Sequence, residues 1–179
     1  MPSVLSHPAV SLGLLAAVGT KTIPARLGVV ACVASVIPDV DVIGFKAGVP
    51  YGSFFGHRGF THSLFFALLI AGVAAAFAGR LGASPWVLLG IVFVSAASHG
   101  ILDAMTTGGM GVAFLSPFSN HRYFFPWRVI EVAPLGIGRF FSARGLTVLR
   151  SEFIWVWIPC ALVGMTGFLF RRASISFRQ

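Results

Sequence analysis

The sequence predicts an all-α, polytopic membrane protein with about four to five membrane-embedded helices. Of the 179 residues, 56 % are hydrophobic and only 10 % are charged, whereas soluble domains carry about a quarter charged residues. The mean hydropathy is +0.89. The apolar residues form long segments, at roughly 8–20, 27–38, 64–79, 85–105 and 153–170. No linker-like tract divides the chain, so we expect a single domain over residues 1–179.

The lengths of these segments indicate how each meets the bilayer. Segments 64–79 and 153–170 approach the length of about 20 residues that spans a membrane, and we expect 153–170 to be the last transmembrane helix. The first two are shorter, and the first is rich in small residues, which favours a helical hairpin packed closely against the longer helices. Ser84 followed by Pro85 is typical of a helix start. The stretch 106–150 is rich in aromatic residues and arginine, which predicts an interfacial segment along the lipid headgroups.

The net charge of +8 raises the question of whether the protein binds nucleic acid. The basic residues argue against it, because they stand singly or in pairs beside apolar segments, as juxtamembrane anchors do. Membrane lipids are the expected partners, with no nucleic acid. The anchors at one side of the predicted membrane are Lys21, Arg26, Arg80, Arg171 and Arg172.

Ionisable side chains fall together at the opposite side if each segment crosses or turns back once. Charged groups at membrane depth are costly, so their presence there indicates function. The residues gathered in this way are His7, Asp39, Asp41, His57, His62, His99 and Asp103.

Two of the motifs carry carboxylates. His99 and Asp103 in SHGILDAMT are four residues apart, which puts both on one helix face. A hydrogen-bonded pair is the alternative to a pair of metal ligands. Asp39 and Asp41 in PDVD end the second segment, and a nearby cation would relieve their mutual repulsion. A solvated turn is the alternative there.

The third motif, GHRGFTHS, opens the third segment. Its histidines are five residues apart and do not share a helix face, so we place His57 in the preceding loop and His62 near the helix start. Arg58 is suited to bind an oxyanion or phosphate. His7 taken alone is typical of a core or interfacial histidine. Together, the imidazoles and carboxylates favour zinc, or a similar ion such as manganese.

These motifs resemble the signatures of the YdjM family of bacterial inner-membrane metal-dependent hydrolases. FGHRGFTHS, PDVD, the early His7 and SHGILDAMT carry the resemblance, which runs from about His7 to Trp127. The resemblance implies a metal-dependent hydrolase in the bacterial inner membrane.

A more distant resemblance concerns the order of the candidate ligands. His, Asp, His and then His-xxx-Asp is similar to the order in zinc-dependent phospholipase C and the P1-type nucleases, which are all-helical. On that analogy the metal ligands would be His7, Asp41, His62, His99 and Asp103, with Asp103 able to bridge two ions. Asp39 and His57 are replacements or supports. The further downstream ligands of the trinuclear enzymes are not evident, so we expect one or two ions.

These observations predict hydrolysis of a phosphoester in a lipid or other amphiphilic substrate by metal-activated water. Whichever of Asp39 and Asp41 is not a ligand is a candidate to accept the proton of that water. Arg58 and Arg122 are candidates to hold phosphate oxygens, with headgroup anchoring as the alternative for Arg122. A lipid amide hydrolase, a non-catalytic metal-binding protein and a metal transporter remain alternatives.

The side of the membrane that carries the site follows from the positive-inside rule. The anchors beside the short loops favour the cytoplasm for their own side, so we expect the site to be periplasmic. Several arginines on the site's own side nearly balance this count: Arg122, Arg128, Arg139, Arg144 and Arg150.

Overall fold

The computed structural model describes residues 1–19, 23–134 and 140–176. Lys21 and Arg139, used above to assign sidedness, lie outside these ranges. Within them the chain is helical and forms no β-strand; only isolated bridges occur, Thr106 with Ile130 and Val112 with Tyr123. The predicted all-α class is therefore confirmed over the described residues.

The described part of the chain forms eight α-helices and three short turns of other helical types. In order, the α-helices are α1 (Pro8–Val18), α2 (Ala25–Ala34), α3 (Asp41–Lys46), α4 (Leu64–Ala76), α5 (Ala78–Leu81), α6 (Pro85–Ala104), α7 (Ala143–Glu152) and α8 (Ile158–Ser176). The 3-10 turns are Ile37–Val40 and Phe60–His62, and a π turn, Phe153–Trp157, joins α7 to α8.

Two helical stretches are long and apolar enough to cross a membrane: α6, with 20 residues, and Ala143–Ser174, with 32 residues. A third is possible if α2 and Ile37–Lys46, bent by 46°, act as one span. Helices α1 and α4 are apolar but shorter. The described part of the chain therefore has two to three candidate spans, and the predicted count of four to five embedded helices is not confirmed. The last stretch also begins earlier than the predicted residue 153.

The bend after α2 lies next to Pro38. Sequence segment 27–38 predicts one helix, but the α-helix ends at Ala34. A proline at position 38 has no N–H to donate to the carbonyl of residue 34, and its ring would crowd that carbonyl. The chain tightens into the 3-10 turn instead, which brings Asp39 and Asp41 close to α6.

Helix α6 is the centre of the bundle. It packs against α4, α2 and α1, and 61 % of its most apolar 18 residues is buried, against 11 % of the most apolar 18 residues within Ala143–Ser174. Leu88 and Val92 of α6 meet Leu27 and Ala31 of α2 in the buried core. Helix α1 lies directly against α8: a Cβ at Gly13 would be 2.6 Å from the carbonyl oxygen of Cys160.

Candidate metal centre

The end of α6 carries the first two residues of the site. His99 and Asp103 lie one turn apart, and both are completely buried. The Nδ1 atom of His99 lies 2.7 Å from the carbonyl oxygen of Ser35, the residue that follows the end of α2. A carbonyl oxygen only accepts, so Nδ1 carries the proton and the lone pair of His99 is on Nε2.

His62 is oriented in the same way by a carboxylate. It ends the turn Phe60–His62, and Ser63 then caps α4 by accepting a hydrogen bond of 3.0 Å from Phe66 N. His62 Nδ1 lies 3.1 Å from Asp41 Oδ2. With Nδ1–H donating to this carboxylate, His62 Nε2 is free; it lies 3.1 Å from His99 Nε2 and 3.3 Å from Asp103 Oδ2.

The two acidic residues of PDVD have different surroundings. Asp41 is saturated: it accepts from Arg58 N at 3.2 Å and Thr61 Oγ1 at 2.7 Å, and its Oδ1 lies 2.7 Å from His57 Nδ1. Both carboxylate oxygens of Asp39 are shielded from solvent and have no hydrogen-bond partner in the described part of the chain. Asp39 Oδ1 lies 3.4 Å from His99 Nε2.

Two overlapping groups of ligand atoms lie within 4.8 Å of one another: Asp39, Asp41, His57 and His62, and Asp39, His62, His99 and Asp103. In the first group the oxygens of Asp41 are already occupied by His57, Thr61 and Arg58 N. In the second, the oxygens of Asp39 have no hydrogen-bond partner among the described residues, Asp103 is paired with Arg58, and both imidazoles present Nε2. Ligand separations of 3.1 to 3.8 Å resemble the edges of about 3.3 Å expected around a tetrahedral ion with bonds of about 2.0–2.1 Å. The second group therefore fits a zinc-like ion.

The electrostatics of the group also favour a cation. Burial lowers the pKa of His62, but the neighbouring carboxylates of Asp103, Asp39 and Asp41 outweigh this effect and raise the pKa to about 10. The carboxylates thus attract positive charge to the position between them, and a metal ion and a proton compete for it.

His7 lies at the edge of this group. It is completely buried, and neither ring nitrogen has a hydrogen-bond partner among the described residues. Its ring stacks on that of His99, with centroids 3.7 Å apart, and its Nε2 lies 3.9 Å from Asp39 Oδ2. His7 is therefore close enough to act as a further ligand after a small movement.

A buried acidic residue that sequence analysis did not single out holds the segment before His7. Glu152 is completely buried and accepts hydrogen bonds from the backbone N–H of Ser3, from Ser3 Oγ at 2.6 Å and from Ser6 Oγ at 2.7 Å. Trp157 Nε1 donates to Ser6 Oγ at 2.9 Å. An isolated glutamate at the start of an apolar helix is the signal that would have indicated it.

The two arginines expected to bind phosphate hold protein groups instead. Arg58 is completely buried; its Nε lies 3.1 Å from Asp103 Oδ2, and its Nη atoms donate to Gly108 O and Thr106 Oγ1. Arg122 Nη1 donates to His57 O at 2.9 Å, and Nη2 donates to carbonyls of the preceding loop. A guanidinium donates to carbonyl and carboxylate oxygens as readily as to phosphate oxygens, and the motif alone does not distinguish these partners.

Comparison with known proteins identifies the family of the chain. It matches the family model described as YdjM inner membrane protein over residues 1–174. It is 44 % identical over 172 residues to the inner membrane protein YbcI of Escherichia coli (strain K12), covering 92 % of this chain and 96 % of that protein. It is 32 % identical over 100 residues to the uncharacterized protein YvsG of Bacillus subtilis (strain 168), covering 52 % of this chain and 59 % of that protein. No solved structure matches it. The chain therefore belongs to the YdjM family of inner membrane proteins, and the match extends well beyond the region that carried the resemblance.

Proposed function

We propose that this inner membrane protein is a metal-dependent hydrolase whose ion is held by Asp39, His62, His99 and Asp103. One observation carries the proposal: four ligand atoms of these residues converge within 4.8 Å, while the Nδ1 atom of each histidine is held by a protein acceptor. This pairing of an oriented imidazole with a hydrogen-bonded partner is the usual support of a metal ligand. Zinc suits this donor set best, with manganese as the second choice.

The residues around the ligands have positioning roles. Asp41 orients His62, the carbonyl of Ser35 orients His99, and Arg58 fixes the carboxylate of Asp103. The chemistry that a bound ion supplies in such a site is activation of water and polarisation of a phosphoryl oxygen. In this proposal Asp39 is assigned to the ion rather than to proton transfer, because both its oxygens lack a protein donor in the ranges that the structure describes, whereas Asp41 is already saturated by Arg58 N, Thr61 and His57.

The substrate class follows from the position of the site in the membrane. The ligands lie at one end of α6 rather than along it, and the flanking helices α1 and α4 are short and apolar. We therefore propose that α1 and α4 are also embedded, and that the substrate is a lipid or other amphiphilic phosphate whose headgroup reaches this depth. Hydrolysis of a lipid amide would need the same ligands, and the substrate assays below distinguish it from hydrolysis of a phosphoester.

Sidedness is part of the same proposal. Arg26 Nη1 donates to the carbonyl of Arg80 at 3.0 Å, and Arg171 lies beside Gly19, so these basic residues occupy helix ends away from the site. By the positive-inside rule this end is cytoplasmic and the site is periplasmic. Labelling of a single cysteine at Ser119, in a variant without the native cysteines, by a membrane-impermeant maleimide on intact spheroplasts tests this. Labelling only after lysis would overturn it.

A non-catalytic metal site is the second candidate, because four nearly inaccessible ligand side chains also suit a structural ion. It predicts a closed coordination sphere without exchangeable water. Spectra of the cobalt-substituted protein that change on adding inorganic phosphate favour the hydrolase; spectra that do not respond favour the structural ion.

Elemental analysis of detergent-purified protein is the direct test. Wild-type protein is compared with His99→Ala and Asp103→Ala, and with His121→Ala as a matched control outside the site. Stoichiometric zinc or manganese, lost in the first two variants and kept in the third, supports the metal centre and is followed by hydrolysis assays on phospholipid, polyprenyl-phosphate and lipid-amide substrates. Wild-type protein that stays metal-free after dialysis against these ions would contradict the proposed hydrolase.

A further inference from the structure

A groove with a volume of about 620 Å³ runs along the surface of the α1–α8 pair. It begins at Ala9 and Trp157, near the metal centre, and ends at Gly19 and Arg171. Trp157 and Arg171 are 14 residues apart, which corresponds to about 21 Å of helix at about 1.5 Å per residue. Apart from Arg171, the lining side chains are apolar or small, with Cys160 near the middle.

The groove opens toward the bilayer rather than toward water. The stretch Ala143–Ser174 that forms one wall is a candidate membrane span, and only 11 % of its most apolar 18 residues is buried inside the protein. Water in such a groove would lack the two to four polar partners it needs. Acyl chains are the apolar material at this depth, and one leaflet supplies about 15 Å of hydrocarbon, half of the roughly 30 Å core. At about 21 Å the groove is longer than this, so it has room for one acyl chain along its length, and its lining has the polarity of one.

The end of the groove offers an unused donor for an anion. Arg171 Nη2 donates to the carbonyl of Ala16 at 3.0 Å, which fixes the guanidinium over the end of α1. Its Nη1 is shielded from solvent and has no hydrogen-bond partner in the part of the chain that the structure describes. Gly19 makes this approach possible, because a Cβ there would lie 2.8 Å from Arg171 Nε. A phosphate oxygen is the ligand that such a fork prefers.

We propose that this groove binds one phospholipid, with its phosphate on Arg171 and one acyl chain lying along α1 and α8 toward Trp157. The bound lipid is distinct from a substrate, because its phosphate lies at the far end of the groove from the metal centre. The lipid covers the outer side of the contact between α1 and α8. It thereby helps to hold α1, and the segment with His7 before it, against the last helix.

Photocrosslinking in proteoliposomes tests this site without any activity measurement. The full chain is reconstituted in phosphatidylethanolamine and phosphatidylglycerol with a small fraction of phosphatidylglycerol that carries a diazirine on one acyl chain. Adducts are mapped by mass spectrometry after illumination and proteolysis. We expect them on groove-lining residues such as Leu12, Cys160 and Met165, and few on Val163, which is 58 % exposed but does not line the groove.

Three variants sharpen the test. Ala161→Trp fills the groove and abolishes groove labelling, whereas the matched lipid-facing change Val163→Trp leaves it unchanged. Arg171→Gln lowers labelling by about tenfold, the size expected for loss of a charge-assisted hydrogen bond, but does not change labelling by a diazirine diacylglycerol, which lacks phosphate. Gel-filtration elution and metal content show that each variant is folded. Equal labelling of Leu12 and Val163, unchanged labelling in Ala161→Trp, or crosslinks to a second copy of the chain in place of lipid would overturn the proposal.

Discussion

The Nε2 atoms of His62 and His99 lie 3.1 Å apart, although each ring has its Nδ1 atom beside a protein acceptor. Two nitrogen lone pairs at this distance repel unless a proton or a cation lies between them. The acceptors on the Nδ1 side, Asp41 and the carbonyl of Ser35, direct both lone pairs to the same place. The relationship therefore gives the two carboxylates of PDVD different roles.

Asp39→Asn should lower metal affinity more than Asp41→Asn. Asp39 is proposed as a direct ligand, whereas Asp41 orients His62, and loss of such an orienting partner typically costs about 10- to 100-fold in affinity. Competition with a chromophoric zinc chelator measures both dissociation constants on detergent-purified protein. Weaker binding by Asp41→Asn than by Asp39→Asn would mean that the ion occupies the neighbouring group with His57.

Arg58→Met should destabilise the metal-free protein by about 3 kcal/mol or more, because it leaves the buried carboxylate of Asp103 without its partner. Thermal unfolding in detergent with a chelator present measures this. The double variant Arg58→Met/Asp103→Asn removes the charge and should recover part of the loss. A melting temperature unchanged by Arg58→Met would show that the pair does not support the fold.

Glu152→Gln should weaken metal binding by roughly tenfold, as expected of a residue that positions a ligand through others. The amide keeps the shape but presents one acceptor oxygen in place of two to Ser3 and Ser6. Trp157→Phe, which removes only the bond to Ser6 Oγ, is the milder control. Metal affinity equal to that of wild type, with a lowered melting temperature, would assign Glu152 to stability alone.

Gly13→Ala should destabilise the protein, because the added Cβ would lie 2.6 Å from the backbone oxygen of Cys160 and force α1 away from α8. Gly72→Ala in α4 is the matched control, since a Cβ there meets nothing within 4 Å. That control should be neutral or stabilising by up to about 1 kcal/mol through helix propensity. Thermal unfolding in detergent compares the two; equal melting temperatures would contradict the close helix contact.

The sequence predicts the helical segments and the gathering of histidines and aspartates because both follow from simple costs. Long apolar runs are stable as helices in lipid, and ionisable groups among them require partners. The different surroundings of Asp39 and Asp41 were not predictable, because they depend on how the loop before His62 folds back onto α3. The early end of α2 was predictable in principle from Pro38.

Contacts between distant parts of the chain were the least predictable. Glu152 and Ser3 are 149 residues apart, and no local pattern connects an acid at the start of the last helix with serines before α1. The roles of Arg58 and Arg122 depend in the same way on which oxygen atoms the fold brings to each guanidinium. The motif identifies the residue type, and the tertiary contacts decide its partner.

The link from Glu152 to Ser3 and Ser6 also sets an order of events during synthesis. A ribosome has made nearly the whole chain before α7 emerges, and until then the segment with His7 has no acceptor to hold it. His7, the earliest of the clustered histidines in the sequence, is thus the last to be fixed in place. A chain interrupted before α7 would contain all four residues proposed to hold the ion, but the segment with His7 would lack the carboxylate that holds it beside them.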